Sequence, residues 1–278
     1  MKLIDFHAHI FPEKIAARTV DALIDGIRKE QGEIYVQSHQ MIFNFPTQDG
    51  LLTAMSENNV DMCVCMPIST KPTQTESINR FAEGIRGERL LSFGSLHPMQ
   101  SDWEAVLENL VERGFRGIKL HHQFQGCDFD SKESLRVLKK AEELGLLVVF
   151  HAGSDIGLPA PFRATPEKIR NVLTEMEGSN LIAAHLGGWD MWDDVERYLV
   201  GTPILMDTAF IQGFLPVEQA ARIIKNHGAS KILFGTDAPW ESAADTLRFV
   251  QKLGLSDEDF ALITHKNAER LLGLGENV

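Results

Sequence analysis

The chain has 278 residues, 44% of them hydrophobic, which is enough for one large domain with a sizeable core. Its formal net charge of −12 at pH 7 disfavours nucleic acid as a partner, because an acidic surface repels the phosphate backbone. The three cysteines include no CxxC pair, so neither a disulfide framework nor a structural zinc knuckle is expected.

The first predicted element is a short strand within MKLIDFHAHIF, whose apolar run is too short for a signal peptide. Positions two apart in a strand share a face, so Asp5, His7 and His9 are predicted to line one side. Two imidazoles at one strand end can hold a metal ion, and solvated histidines near a terminus are the alternative. No later stretch is long enough to span a bilayer, so we expect a cytoplasmic protein that does not contact membranes.

A long stretch, residues 10–48, separates this strand from the helix predicted in DGLLTAMSENNV. Long excursions of this kind tend to be lids or substrate-binding elements, and a purely structural cap is the alternative. Exposed apolar residues near its end, Ile42, Phe43 and Phe45, would suit a contact between two copies of the chain. The insertion therefore also offers a surface for a homodimer.

An apolar run followed by an amphipathic helical stretch recurs along the whole chain. Eight runs are predicted as strands: 3–9, 60–67, 89–97, 115–122, 146–153, 180–188, 202–210 and 231–239. Clear helical stretches lie between them, such as 131–145, where Ser131 is the predicted N-cap and Gly145 the stop.

Alternating strands and helices predict parallel pairing through right-handed crossovers. Eight such units fit an α/β protein with a closed (β/α)8 TIM barrel, a single domain over residues 1–278 with an insertion after the first strand. An open doubly wound sheet is the alternative. That fold usually carries a glycine-rich phosphate loop after its first strand, where this chain has HAHIFPEK.

Histidines concentrate at the predicted carboxyl ends of the strands. Seven of the ten lie there: His7, His9, His97, His121, His122, His151 and His185. Asp207 and Asp237 end the seventh and eighth strands. Because the carboxyl ends of barrel strands meet at one mouth, a cluster of imidazoles and carboxylates is expected there. Such ligands suit Zn²⁺, and also Mn²⁺ or Fe²⁺.

The order and spacing of the motifs resemble the amidohydrolase superfamily, and within it the amidohydrolase-related (amidohydrolase 2) branch of metal-dependent TIM-barrel proteins. The motifs are HAH at 7–9, GIKLHH at 117–122, FHAG at 150–153, AHLGG at 184–188, FGTDAPW at 234–240 and HKNAERLLGL at 265–274. The resemblance implies one divalent metal ion, with zinc favoured, held by His7, His9, His151 and Asp237. It also implies that His185 acts on the substrate or on water at the metal.

Lys119 shares the strand parity of His121, which would place an ammonium inside the barrel. It could pair with an acid such as Asp5, contact the substrate or water at the metal, or carry a carbamate that bridges two metals. We favour an unmodified lysine in the first two roles, beside a single metal ion. Only one of the adjacent His121 and His122 can face the mouth, and we expect His121 to contact the substrate.

Two loop residues complete the predicted substrate site. Arg163, after the fifth strand, is the candidate clamp for a substrate carboxylate, because guanidinium binds carboxylate in a bidentate manner. Trp240 is the candidate wall of the pocket. A surface position for Arg163 and ordinary packing for Trp240 are the alternatives.

Together these features predict a metal-dependent hydrolase of a small molecule, which cleaves an amide, lactone or similar carbonyl bond with metal-activated water. Asp237 is the predicted base, and His185 is predicted to stabilise the oxyanion or to orient the nucleophile. The first alternative is a metal-dependent, non-oxidative decarboxylase of an unsaturated or aromatic carboxylic acid. The second is a metal-binding protein without catalytic activity.

Overall fold

Eight parallel strands form the core of the computed structural model, which describes residues 1–274. They are β1 (Ile4–Ala8), β2 (Met62–Cys65), β3 in two segments (Leu90–Ser92 and Gly94–Ser95), β4 (Gly117–Leu120), β5 (Leu147–Phe150), β6 (Leu181–Ala183), β7 (Leu205–Asp207) and β8 (Ile232–Leu233). Consecutive strands pair in parallel. All eight lie within the runs predicted from the sequence.

Hydrogen bonds between β1 and the segment that follows β8 close the ring. The amide of Phe6 donates to the carbonyl of Phe234 at 2.8 Å, and the amide of Asp237 donates to the carbonyl of His7 at 2.8 Å. Because an open sheet would leave its two edge strands unpaired, these bonds exclude the doubly wound alternative. The predicted (β/α)8 barrel is confirmed.

Thirteen α-helices connect and cover the strands in the part of the chain that the structure describes. They are α1 (Glu13–Gln31), α2 (Glu33–Ser38), α3 (Gln48–Glu57), α4 (Thr75–Gly84), α5 (Trp103–Glu112), α6 (His122–Gln125), α7 (Lys132–Glu143), α8 (Pro166–Val172), α9 (Trp192–Tyr198), α10 (Val217–His227), α11 (Ala243–Gln251), α12 (Asp257–Ala261) and α13 (Asn267–Leu272). Ser131 caps α7 as predicted, since its hydroxyl accepts from the amide of Ser134. None of these helices combines the length and apolarity that a membrane crossing requires.

Strand side chains alternate between two apolar layers. The layer inside the barrel contains residues such as Phe6, Val64 and Val149. The layer between strands and helices contains residues such as Cys63 and Val148. The barrel interior is therefore a packed core, which leaves the mouth as the place where polar side chains can meet.

A β-bulge in β1 changes the predicted direction of one side chain. Asp5 pairs with Cys63 and Ala8 pairs with Cys65, so three steps along β1 match two steps along β2. The extra residue reverses the alternation, so Asp5 points away from the barrel interior while His7 and His9 point into it. The prediction that Asp5 shares their face is wrong for this reason.

Candidate metal centre

A cavity of about 550 Å³ opens at the carboxyl ends of the strands. The titratable residues of its lining are His7, His9, Lys119, His121, His151, Asp155, His185 and Asp237. Six aromatic rings surround these groups: Phe11, Phe81, Phe124, Trp189, Phe210 and Trp240. Helix α1 adds Ile15, Thr19, Ala22, Leu23, Gly26 and Ile27. The insertion after β1 therefore forms part of the cavity wall.

Of the nine residues predicted for the site, Arg163 is the one that does not line this cavity. Its guanidinium Nη1 lies 3.3 Å from Asp128 Oδ1, which also accepts from Lys168 Nζ at 2.9 Å. The structure thus corrects the prediction of a carboxylate clamp, because Asp128 holds the Arg163 side chain outside the site.

Three side chains form a tight cluster where β1 and β8 end. The Nε2 atoms of His7 and His9 are 3.2 Å apart, and Asp237 Oδ1 lies 3.4 Å and 3.0 Å from them. Ligand atoms held at about 2.0–2.2 Å around a tetrahedral zinc are roughly 3.3–3.6 Å from one another. Asp237 also has a φ of 67°, a left-handed conformation that is uncommon for a residue with a side chain.

A second pair of imidazoles lies beside this cluster. His151 Nδ1 is 3.0 Å from His185 Nε2, and the His185 ring centroid is 5.7 Å from that of His7. The structure therefore brings the four predicted metal ligands and the predicted catalytic histidine to one end of one cavity.

In each of the four imidazole rings of His7, His9, His151 and His185, one nitrogen donates its hydrogen to an oxygen atom. The bonds run from His7 Nδ1 to Asp207 Oδ2 (2.8 Å), from His9 Nδ1 to the Met66 carbonyl (2.7 Å), from His151 Nε2 to the Ser154 carbonyl (2.7 Å) and from His185 Nδ1 to the Ala209 carbonyl (2.8 Å). A carbonyl or carboxylate oxygen only accepts, so each of these nitrogens carries the hydrogen. In the neutral ring the other nitrogen then carries a lone pair.

The lone pairs face one another, and this arrangement fits a bound cation. Burial lowers the pKa of His7, of His151 and, to about 3, of His185, so protonation does not relieve these contacts near pH 7. Lys119 Nζ donates to His7 Nε2 at 2.9 Å, which satisfies one lone pair. A metal ion would take the place of this contact at His7 Nε2. The four lone-pair nitrogens and the carboxylate of Asp237 together form a donor set that suits a divalent metal ion.

The two charged groups of the cluster keep their charges. Burial raises the pKa of Asp237, but its contacts with His7 and His9 outweigh burial and hold the pKa below the usual range. Burial lowers the pKa of Lys119 to about 8, which leaves an ammonium at pH 7. A low pKa suits Asp237 as a metal ligand. It also makes Asp237 a weaker base, so its predicted role as proton acceptor is harder to fulfil.

The suggested pairing of Lys119 with Asp5 is wrong. The Asp5 carboxylate accepts from the Thr236 hydroxyl at 2.6 Å and from the amides of His7 and Thr236 at 3.0 Å. The bulge in β1 places it behind the barrel wall, whereas Lys119 lies inside. Among the acids, Asp237 and Asp207 are the ones whose charges favour the ammonium of Lys119.

A second cluster on the cavity wall is satisfied by its own hydrogen bonds. His121 Nε2 lies 3.4 Å from Asp155 Oδ2, and the rings of His121 and His151 stack at 4.3 Å. His121 Nδ1 accepts from the amide of Phe124, so its Nε2 carries the hydrogen that faces Asp155. Because these N–H groups already meet oxygens, this cluster does not require a cation in the way the first one does.

Of the two adjacent histidines, His121 lines the cavity, as expected, and His122 does not. His122 Nε2 instead hydrogen-bonds to the Ser134 hydroxyl at 2.9 Å. Asp155 was not predicted as a site residue. Its position four residues after His151, in the loop beyond β5, is a signal that could have found it.

We expect one tightly bound metal ion per chain, with Lys119 unmodified. A bridging carbamate needs a second cation with its own ligands, and the N–H groups of the second cluster are already engaged. Elemental analysis of protein purified with added zinc and bicarbonate, with intact mass measured in parallel, tests this. Close to two metals per chain, lost in Lys119→Ala, would instead indicate a binuclear centre.

Comparison with known proteins gives a family and a fold. The model of the amidohydrolase family matches residues 4–274, and no match was found among curated proteins. An uncharacterised TIM-barrel protein from Bordetella bronchiseptica is similar in structure, with a TM-score of 0.72 and 18% identity over 98% of this chain and 99% of that one.

Two solved decarboxylases also share the fold. The 5-carboxyvanillate decarboxylase of Sphingomonas paucimobilis has a TM-score of 0.65 and 16% identity, over 98% of this chain and 99% of that one. A dihydroxybenzoic acid decarboxylase from a Polaromonas species, with bound manganese and an inhibitor, has a TM-score of 0.67 and 16% identity, over 99% and 98%. At such identities the likeness concerns the barrel fold alone.

Proposed function

We propose a function from one premise: the chain belongs to the amidohydrolase family, whose model spans residues 4–274. We propose that the protein is a metal-dependent enzyme that acts at a carbonyl carbon of a small molecule. The observation that carries this proposal is the convergence of four lone-pair nitrogens and the Asp237 carboxylate at one end of the cavity. His7, His9, His151 and Asp237 would hold the metal.

The metal ion, when bound, supplies Lewis acidity, which polarises a carbonyl oxygen and lowers the pKa of water. We propose zinc, because imidazole and carboxylate ligands suit it. Manganese is the second candidate, since the structurally similar decarboxylase from Polaromonas carries it.

Within this class we propose hydrolysis of an amide, lactone or similar bond. Asp237 would accept a proton from the attacking water and return it to the leaving group. His185 has its N–H fixed on the Ala209 carbonyl, so its Nε2 can only accept. This tautomer supports orientation of the nucleophile by His185 over donation to an oxyanion.

In this proposal Lys119 donates the hydrogen bond that stabilises the oxyanion. Lys119 is 1% exposed, and the residues described as lining the cavity contain no other lysine and no arginine. A buried ammonium stabilises developing negative charge strongly, because the surrounding dielectric is low. The same group would hold a substrate carboxylate, the task that Arg163 is too far outside the cavity to perform.

Decarboxylation is the second candidate, and the six aromatic rings around the polar groups favour it. Such walls bind a flat, apolar body and keep water away. A dry site favours loss of carbon dioxide, because negative charge spreads from the carboxylate into the unsaturated part of the molecule. The decarboxylases with the same fold are consistent with this candidate.

Matched substrate panels distinguish the two reactions. Protein loaded with zinc or with manganese would be incubated with amides, lactones and carboxylic acids that share one aromatic body. Hydrolysis in heavy-oxygen water labels the product carboxyl group, whereas decarboxylation in heavy water releases carbon dioxide and labels the carbon that lost it. If the fully metallated protein turns over neither panel, both candidates fail and the non-catalytic alternative gains support.

The homodimer and the cytoplasmic location predicted from the sequence stay predictions. In the structure Phe45 and Phe43 are exposed, and Ile42 is half-buried. Light scattering would measure the oligomeric state directly.

A further inference from the structure

Asp207, the last residue of β7, contacts two residues of the proposed metal centre at once. Its Oδ2 accepts from His7 Nδ1 at 2.8 Å, and its Oδ1 accepts from the amides of His185 and Ala209 at 2.9 Å and 3.1 Å. We propose that Asp207 is a positioning residue that sets the tautomer of His7 and the backbone of His185 together. This proposal rests on the proposed metal site and not on the reaction catalysed there.

The first effect of Asp207 is on the proton of His7. Both side chains are fully buried, so no water can replace their hydrogen bond. An ionised carboxylate has only acceptor sites, which forces the hydrogen of His7 onto Nδ1 and leaves the lone pair on Nε2. That lone pair faces His9 Nε2 and Asp237 Oδ1, so Asp207 keeps the ligand nitrogen of His7 ready for the metal.

The second effect of Asp207 is on the backbone of His185. His185 and Leu186 have φ values of 60° and 53°, left-handed conformations that are strained for residues with side chains. Oδ1 of Asp207 holds the amide of His185, and Trp192 Nε1 donates to its carbonyl at 3.0 Å. These two bonds keep the peptide units on both sides of His185 in place, which aims its Nε2 at His151 Nδ1.

The lack of a side chain at Gly235 is independent evidence that His7 and Asp207 are tightly packed against each other. A Cβ atom at Gly235 would lie 3.0 Å from His7 Cβ and 3.4 Å from Asp207 Cβ. The φ of Gly235 is not in the left-handed region, so the requirement here is space and not backbone freedom. Glycine in the FGTD motif therefore allows the strands to bring the two side chains together.

Asp207→Asn tests the proposal with almost no change in volume. Its amide can turn an NH₂ group toward His7 Nδ1, which would move the hydrogen of His7 to Nε2. We expect the affinity for Zn²⁺, measured by competition with a chelator, to fall about 10–100-fold. We also expect nitrogen NMR of the metal-free protein to show the His7 tautomer switching from Nδ1–H to Nε2–H.

Asp245→Asn is the control, because Asp245 is a carboxylate that bonds to Ser242 and Arg248 and does not line the cavity. It should leave the Zn²⁺ affinity and the His7 tautomer unchanged. Wild-type affinity together with an unchanged tautomer in Asp207→Asn would overturn the proposal. The tautomer is measured without metal or substrate, so failure of the proposed reaction does not affect this outcome.

Gly235→Ala provides a second test if Asp207→Asn does not fold. The added methyl group should move His7 and Asp207 apart by a few tenths of an ångström, and the Zn²⁺ affinity should fall in the same direction. Wild-type affinity in folded Gly235→Ala would also contradict the proposal.

Discussion

Replacing both His7 and His9 with alanine should give a folded barrel that no longer holds a metal ion. The two rings point into the cavity, whereas Ile4 and Phe6 of the same strand fill the barrel core. The double variant loses two of the four proposed ligands, and the remaining pair, His151 and Asp237, is a weak site. Leaving Asp207 without its partner should cost folding about 1–3 kcal/mol, which a barrel of this size is expected to tolerate.

Elemental analysis measures the metal in this variant, and circular dichroism measures its fold. His39→Ala with His265→Ala is the matched control, since it removes two histidines that do not line the cavity. The control should keep the wild-type metal content. Full metal retention in the His7→Ala, His9→Ala variant would show that the centre lies elsewhere.

Asp237→Asn should reduce kcat much more than it reduces metal content. The asparagine keeps one oxygen in place as a ligand, but an amide cannot accept a proton at neutral pH. Removing a general base typically costs a factor of about 10²–10⁴ in rate. The prediction is checked by measuring kcat and metal content on the substrate that the matched panels identify.

Asp245→Asn is a suitable comparison for Asp237→Asn. Asp245 lies on α11, bonds to Ser242 and Arg248 and does not line the cavity, so its loss should leave kcat near the wild-type value. If Asp237→Asn keeps near wild-type kcat while fully metallated, Asp237 is a ligand and not the base. The low pKa of its carboxyl group makes this distinction worth measuring.

The barrel could be predicted from the sequence because each strand and helix is encoded locally. Apolar runs of strand length, separated by capped amphipathic helices, fix the order of the elements, and the barrel topology then brings all strand ends to one mouth. His7, His9, His151, His185 and Asp237 could be assigned in this way. Their place at the mouth follows from the strand that each residue ends, whereas their choice over His97 and His122, which also end strands, rests on the resemblance to the family.

The remaining features depend on contacts between distant parts of the chain. The bulge that turns Asp5 outward exists only in the pairing of β1 with β2. The direction of Arg163 is decided by Asp128, a residue on another loop. Asp207 was placed at a strand end, but the alternation of side chains does not reveal that it would bond to His7, 200 residues earlier.

The closure of β8 onto β1 has a consequence for how the protein is made. His7 and His9 are synthesised before the rest of the barrel, and Asp237 follows the last strand, so a chain on the ribosome has no complete site until Asp237 is made. A metal ion bound to these residues would link the two ends of the barrel. By analogy with a cross-link that closes a long loop, this would raise the free energy of unfolding. Copies truncated before Asp237 would then take up metal poorly, and metallation would mark the chains that extend past the last strand.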